Sequence, residues 1–275
     1  GDHRYLHYPL RRQRQMCIRD SLWLLEATSF AEDLPFRKDY PDVKVVELED
    51  LKAGFDNGTF VVVDVRSTLE YDVIRIKGAF HVDLSKSGFI QNLQALAMQY
   101  PGKKIAVYCN GGTCLKSYKS AMDAEEAGMN NVYAFDAGIP AWSSAYPAET
   151  LLLGKEVADP AKQLIPGSEL KKVMLNFEEF KQKAAEADAV VIDARDPIQR
   201  THKLPGFEKA LPVPLDKLIR NVINKGNLKD KQLLIFDQVG KQVRWLMYYL
   251  VDQGYSNFYF LEGGATSVLK EQEYR

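Results

Sequence analysis

Two cysteines five positions apart frame the stretch whose residue types point to chemistry: Tyr108-Cys109-Asn110-Gly111-Gly112-Thr113-Cys114-Leu115-Lys116-Ser117. A thiolate is a strong nucleophile, but an ordinary thiol is mostly protonated near neutral pH, so a reactive cysteine needs surroundings that favour its anion. Free backbone N–H groups supply that preference where a loop runs into the first turn of a helix. Gly111 and Gly112 let the backbone curl around the Cys109 sulfur without a Cβ penalty. A buried structural cysteine beside an ordinary turn is the other reading open at this point, since free cysteine is among the most buried residue types.

The flanking residues supply the elements that would hold such a loop. Ile105-Ala106-Val107-Tyr108 is an apolar run of strand type, and Ser117 to Ala127 has helical character closed by Gly128. From Val45 onward, helical and strand patterns alternate as in an α/β domain. Leu48 to Leu51 opens a short helix and Phe60 to Val65 is a buried strand. Glu70-Tyr71 begins a helical turn, Gly78 to Leu84 turns into a short strand, Leu93 to Tyr100 is a helix, and Val132 to Phe135 is a last strand.

The same order then recurs. Val190 to Arg195 repeats Val61 to Arg66 at an offset of 129, Lys231 to Asp237 repeats Lys103 to Cys109 at 128, and Gly264 answers Gly138 at 126. A near-constant offset over so many elements is duplication of a whole domain. The expected domains are 43–146 and 168–275. A Pro- and Gly-rich stretch without periodicity, 147–167, links them.

A chain of 275 residues can carry two such domains. The formal net charge of −1 offers no broad basic field, which sets nucleic-acid binding aside, and no apolar stretch is long enough to span a bilayer. Three cysteines, Cys17, Cys109 and Cys114, are too few for a disulfide framework, so cysteine here points to chemistry. Arg11 to Ser21 resembles a translated sequencing-library adapter, so residues 1–21, Cys17 among them, are set apart from the fold; a genuine basic arm is the alternative. Residues 22–31, an apolar run ending in small residues up to Ala31, fit the remnant of a secretory signal and imply export to the periplasm. A short amphipathic helix on a cytoplasmic protein competes with that reading.

The order Asp64-Val65-Arg66, Glu70-Tyr71, Lys77-Gly78-Ala79, the Cys109 loop, Gly138 and Trp142 resembles the rhodanese family. The string Cys-Asn-Gly-Gly-Thr-Cys-Leu-Lys-Ser is similar to the Cys-Asn-Gly-Pro-x-Cys-x-Arg/Lys-Ser loop of small bacterial rhodanese-like proteins. The resemblance covers nearly all of the chain after residue 43. It implies two tandem α/β domains, each a parallel sheet flanked by helices, with the cysteine loop at the carboxyl end of a central strand. It also implies sulfurtransferase chemistry, in which Cys109 takes a sulfane sulfur from an anionic donor such as thiosulfate, becomes a persulfide, and passes the sulfur to cyanide or a thiol. A protein sulfur partner also fits, and the chemistry calls for no metal or organic cofactor.

Within this frame Asn110 to Ser117 contribute chiefly backbone N–H groups, with their side chains outward. Lys116 either attracts the donor or is a solvated lysine. Arg66 is expected to pair with Glu70. Asp64 fixes the neighbouring loop or takes part in catalysis, and His81 and Trp142 read as packing residues. Cys114 is either a resolving thiol, able to attack the persulfide and leave a disulfide, or a packing residue at the helix start.

The second domain departs from the pattern, because Asp237 stands where Cys109 stands in the first and has no sulfur to carry. It is therefore expected to be inactive and to wall the cleft above Cys109. Ile74-Arg75-Ile76 also replaces the Gly-His-Ile of many members. Phosphatases and arsenate reductases of the same fold need an arginine six positions after the cysteine, where this chain has Leu115. A non-catalytic sulfur-carrier module is the remaining alternative.

Overall fold

Val61, Val62 and Val63 are β-branched, and a strand with apolar side chains on both faces must be covered on both sides. In the computed structural model, which describes residues 34–273, they lie in β1 (Phe60–Asp64), buried along its whole length. The further strands of the first domain are β2 (Ile74–Ile76), β3 (Phe80–His81), β4 (Lys104–Tyr108) and β5 (Val132–Phe135). The main sheet is parallel in the order β3-β1-β4-β5, and Val45 bridges to Ala134 beyond β5.

Five helices cover this sheet: α1 (Leu48–Asp56), α2 (Thr68–Val73), α3 (Phe89–Gln99), α4 (Lys116–Glu126) and α5 (Gly138–Ala145). The two-residue period of the strands sorts the core into two clusters. Val62, Ala106 and Tyr108 pack with Leu51 of α1 and Trp142 of α5. Val61, Val63, Ile105, Val107 and Cys109 pack with Leu93 of α3 and Tyr118 of α4. Helix α3 starts four residues before the expected Leu93, because Gly88 caps it at a φ of 87° and its apolar stripe begins at Phe89. The Ser87-Gly88 pair reads as loop in sequence and hides that first turn.

The expected linker is partly folded. Its strands β6 (Thr150–Leu152) and β7 (Lys155–Glu156) form a hairpin that pairs antiparallel with β2. Leu153 and Gly154 turn that hairpin with φ of 48° and 81°, a two-residue turn whose twist suits the strands it joins. Strands of two and three residues are too short to show periodicity, which is why the sequence reads as irregular.

The second domain has β8 (Met174–Leu175), β9 (Ala189–Asp193), β10 (Leu211–Pro212), β11 (Gln232–Phe236) and β12 (Phe258–Leu261), in the parallel order β10-β9-β11-β12-β8. The duplication is visible in the register. Phe60 pairs with Lys104 and Asp64 with Tyr108, while Ala189 pairs with Gln232 and Asp193 with Phe236. Trp245 and Tyr248, on the helix Val243–Asp252, join the core cluster of the first domain, so the two halves share apolar packing. Among the described residues no helix is long and apolar enough to cross a membrane. Residues 1–31, with the suspected adapter, the signal remnant and Cys17, lie outside the described residues.

Candidate functional site

Cys109 directly follows β4, the strand between β1 and β5, and is fully buried. The loop after it turns tightly. Gly111 has a φ of 90°, and its carbonyl accepts the Cys114 N–H at 2.8 Å. Helix α4 begins two residues beyond Cys114. The start of α5 presses on this loop, since a Cβ at Gly138 would lie 2.5 Å from both the Cys109 carbonyl oxygen and the Gly111 nitrogen. Only glycine fits there, and the Ile139 N–H donates to the Cys109 carbonyl at 3.0 Å. In sequence Gly138 is one of the residues that carry the family resemblance, and in the structure its close backbone approach to the Cys109 loop gives the physical reason for glycine.

A chain of charged and polar groups ties the loop to the end of β1. Asp64 and Arg66 are both fully buried, and the guanidinium bonds the carboxylate through Nε to Oδ1 at 2.9 Å and Nη2 to Oδ2 at 2.6 Å. Arg66 Nη1 donates to Asn110 Oδ1 at 3.0 Å, and Asn110 Nδ2 donates to Glu70. Glu70 also accepts from the Ser67 N–H at 3.0 Å and the Ser67 hydroxyl at 2.7 Å, the capping box of α2. Lys116 Nζ lies 3.7 Å from Glu70 Oε2. Burial works against the Glu70 charge, but the bonds from Ser67 and Asn110 and the nearby Lys116 outweigh it and hold the carboxyl below its ordinary value.

This corrects two expectations. Arg66 pairs with Asp64 rather than Glu70, because a residue two beyond the strand end reaches back to the Asp64 carboxylate, whose Oδ1 also takes the Arg66 N–H at 3.0 Å. Nor do all loop side chains face outward. Thr113 and Leu115 are exposed, but Asn110 bridges inward and Ser117 is fully buried. Glu70 is a hub that the sequence signalled through Ser67-x-x-Glu70. His81 packs as expected, stacked on Tyr71 with its Nε2 2.9 Å from the Arg66 carbonyl oxygen, and Trp142 is core.

The sulfur atoms show the largest difference from expectation. Cys109 Sγ lies 3.3 Å from the Cys114 carbonyl oxygen and 3.6 Å from Ser117 Oγ. Burial and the bond to the Cys114 sulfur push the Cys109 thiol up, against the expected depression, although the Ser117 hydroxyl and N–H work the other way. Cys114 takes the anion-favouring position instead. The Cys109 thiol, the backbone N–H groups of Asn110 and Lys116 and the Lys116 charge lower it to about 6, and it is only half-buried.

The second domain offers an internal comparison. Asp237 is buried, and its carboxylate accepts from the Val239 N–H at 3.0 Å, the Gln242 N–H at 2.6 Å, the Val243 N–H at 3.2 Å and the Gly240 N–H. Gly264 presses on this loop as Gly138 does on the other, a Cβ there lying 2.6 Å from the Asp237 carbonyl oxygen. The two domains meet beside the network, where the Arg66 guanidinium lies 5.7 Å from the Trp245 ring centroid. A cavity of about 690 Å³ between the domains is lined by Ser67, Leu69, Gln242 and Tyr249 among others, and neither cysteine lines it.

The sequence profile of the rhodanese-like domain matches residues 47–145 and again 176–271. A tRNA uridine(34) hydroxylase of Bdellovibrio bacteriovorus is 30% identical over 89 residues, which is 32% of this chain and 25% of that protein. One from Cytophaga hutchinsonii is 35% identical over 97 residues, 35% of this chain and 30% of that protein. The chain thus spans under a third of these curated relatives. Among solved structures, thiosulfate sulfurtransferase from Pseudomonas aeruginosa aligns over 86% of this chain and 46% of its own, at 18% identity and a TM-score of 0.36. The rhodanese-like domain of the Alr3790 protein from Anabaena sp. aligns over 44% of this chain and 89% of its own, at 20% identity and a TM-score of 0.32. With the family's profile matched twice along most of its length, the chain belongs to the rhodanese-like domain family and carries two copies of the domain in tandem.

Proposed function

We propose that this protein is a sulfurtransferase whose first domain, 43–146, carries the reaction through a Cys109 persulfide, and whose second domain, 168–275, is inactive. The observation that supports this reading most is the position of Cys109 at the carboxyl end of the central strand, in a loop that turns into α4, while the equivalent strand of the second domain runs into Asp237. The Cys109 proton passes to the Cys114 sulfur and on to solvent. The Cys109 thiolate then attacks the outer sulfur of a donor such as thiosulfate, and sulfite leaves with the electron pair of the broken S–S bond. An acceptor thiol or cyanide next attacks the outer sulfur of the persulfide and returns Cys109 as a thiolate. Lys116, about one-third exposed beside the loop, favours an anionic donor, and Asn110, Gly111, Gly112, Thr113, Leu115 and Ser117 complete the loop around it. Export to the periplasm belongs to the same proposal and rests on residues 22–31.

Thiocyanate formation from thiosulfate and cyanide tests the reading. Turnover in the wild type that disappears in Cys109→Ala supports it, and no turnover with either thiosulfate or a persulfide donor overturns it. The 35% identity to a protein named tRNA uridine(34) hydroxylase favours a second reading, action on a tRNA uridine through the same loop. Nucleoside mass spectrometry of tRNA incubated with the protein decides that one, and unchanged uridine in the presence of oxidant removes it.

A further inference from the structure

The sulfur transfer just described uses Cys114 only to pass a proton, yet several observations place this residue for more. The Cys114 N–H donates to the Gly111 carbonyl at 2.8 Å, and that turn folds residue 114 back over the start of the loop. The Cys109 Sγ then lies 3.3 Å from the Cys114 carbonyl oxygen. Both thiols are free, and Cys114 packs against the same apolar cluster that buries Cys109. The nearby backbone N–H groups of Asn110 and Lys116 and the Lys116 charge favour the Cys114 anion, so the loop holds a second sulfur where it can carry charge. Packing alone requires neither those donors nor the partial exposure that Cys114 keeps. The second domain has neither sulfur: Asp237 replaces Cys109, and Gln242 stands 128 residues after Cys114.

We propose that Cys109 and Cys114 are a redox couple, in which the Cys114 thiolate attacks the inner sulfur of the Cys109 persulfide and closes a disulfide within the loop. The bond between the Cys109 sulfur and the outer sulfur breaks, and the outer sulfur leaves as hydrosulfide with the electron pair and the persulfide proton. The outer, sulfane sulfur gains two electrons and the Cys109 and Cys114 sulfurs together lose them in forming the disulfide, so the step is balanced. An external dithiol then exchanges with the Cys109–Cys114 disulfide, restores both thiols and leaves as its own disulfide. The protein thereby gains a second activity, dithiol-dependent release of hydrosulfide from a sulfane donor. Gly111 and Gly112 supply the backbone freedom that closing the loop requires. This proposal rests on the Cys109 persulfide reading.

The test uses the full chain in a Cys17→Ser background, so that the two loop thiols are the only ones left. The protein is incubated with thiosulfate and desalted, and its intact mass and released hydrosulfide are recorded beside Cys109→Ser and Cys114→Ser. The expected result is a two-cysteine protein lighter by two hydrogens with one hydrosulfide released per chain, while Cys114→Ser keeps one added sulfur and releases none. A two-cysteine protein that keeps the added sulfur as Cys114→Ser does overturns the proposal. If no variant gains sulfur or loses hydrogen, the persulfide reading has failed, and equilibration with oxidised dithiothreitol decides the couple separately. A Cys109–Cys114 disulfide found there by peptide mapping supports the couple, and its absence across the redox series overturns it.

Discussion

The Asp237 carboxylate and the Cys109 thiol end equivalent strands, and their bonds run in opposite senses: Asp237 accepts four backbone N–H groups, whereas the Cys109 sulfur faces the Cys114 carbonyl oxygen. The second domain has therefore filled its own anion cradle with a fixed side chain. The first has no fixed carboxylate in its loop, which suits the proposed gain and loss of a charged sulfur species there.

Removing the fixed anion strands four donors. Asp237→Ala is expected to destabilise the protein by about 3 kcal/mol, since a buried N–H without a partner costs roughly 1–3 kcal/mol and water recovers part of the loss. Asp237→Asn, which keeps an acceptor oxygen, loses less. Urea denaturation of the two variants measures both, and thiocyanate formation is expected to survive in Asp237→Asn.

The Asp64–Arg66 pair is fully buried, so deleting one partner leaves an uncompensated charge. Arg66→Ala is expected to cost about 3–5 kcal/mol. Asn110→Ala removes only the bridge to the loop and is expected to cost about 1 kcal/mol, while slowing sulfur loading more than that loss of stability explains. Denaturant curves and single-turnover loading separate the two effects.

Glu70 is held below its ordinary value of 4.5 by its partners, so its charge stabilises the folded state above that pH. As pH falls through the folded value the contribution disappears, and unfolding becomes easier in acid. Glu70→Gln is expected to flatten the acid limb of the stability profile below pH 4.5 while lowering stability at neutral pH. Thermal melts across that range check the sign.

Cys114 with a pKa of about 6 is mostly thiolate at neutral pH, and Cys109 is held as a thiol by burial. Iodoacetamide is expected to label Cys114 first, with a rate that rises through pH 6 and levels above it. Labelling of Cys109 lags at every pH in that range. Peptide mass spectrometry of a pH series reads both.

Trp245 carries the second domain onto the first, 9% exposed in the shared core and set over Arg66. Trp245→Ala is expected to cost about 3 kcal/mol and to split unfolding into two transitions as the halves lose their common packing. Calorimetry shows whether one transition becomes two.

Much of the frame was legible from residues alone. The valine run of β1, the run into Cys109 and the 128-residue recurrence at Asp237 all lie where periodicity and spacing put them, because long buried strands and whole-domain repeats leave strong patterns. The partner of Arg66 is not legible in sequence, because helical spacing favours Glu70 and only the folded strand end brings Asp64 within reach. The state of the two thiols was not legible either. It depends on which way the peptide after Cys114 turns, and nothing in Gly-Gly-Thr-Cys-Leu fixes that direction.

The hairpin β6–β7 lies outside the family match yet completes the side of the first domain, since β2 finds its antiparallel neighbour there and Val157 is buried behind it. A fragment ending at Tyr146 would present Ile74–Ile76 as a bare, apolar strand edge, open to pairing with other chains. A first-domain fragment that keeps this edge paired therefore extends to about residue 158, so the unit inherited as a duplicate is shorter than the unit that covers its own strand edge.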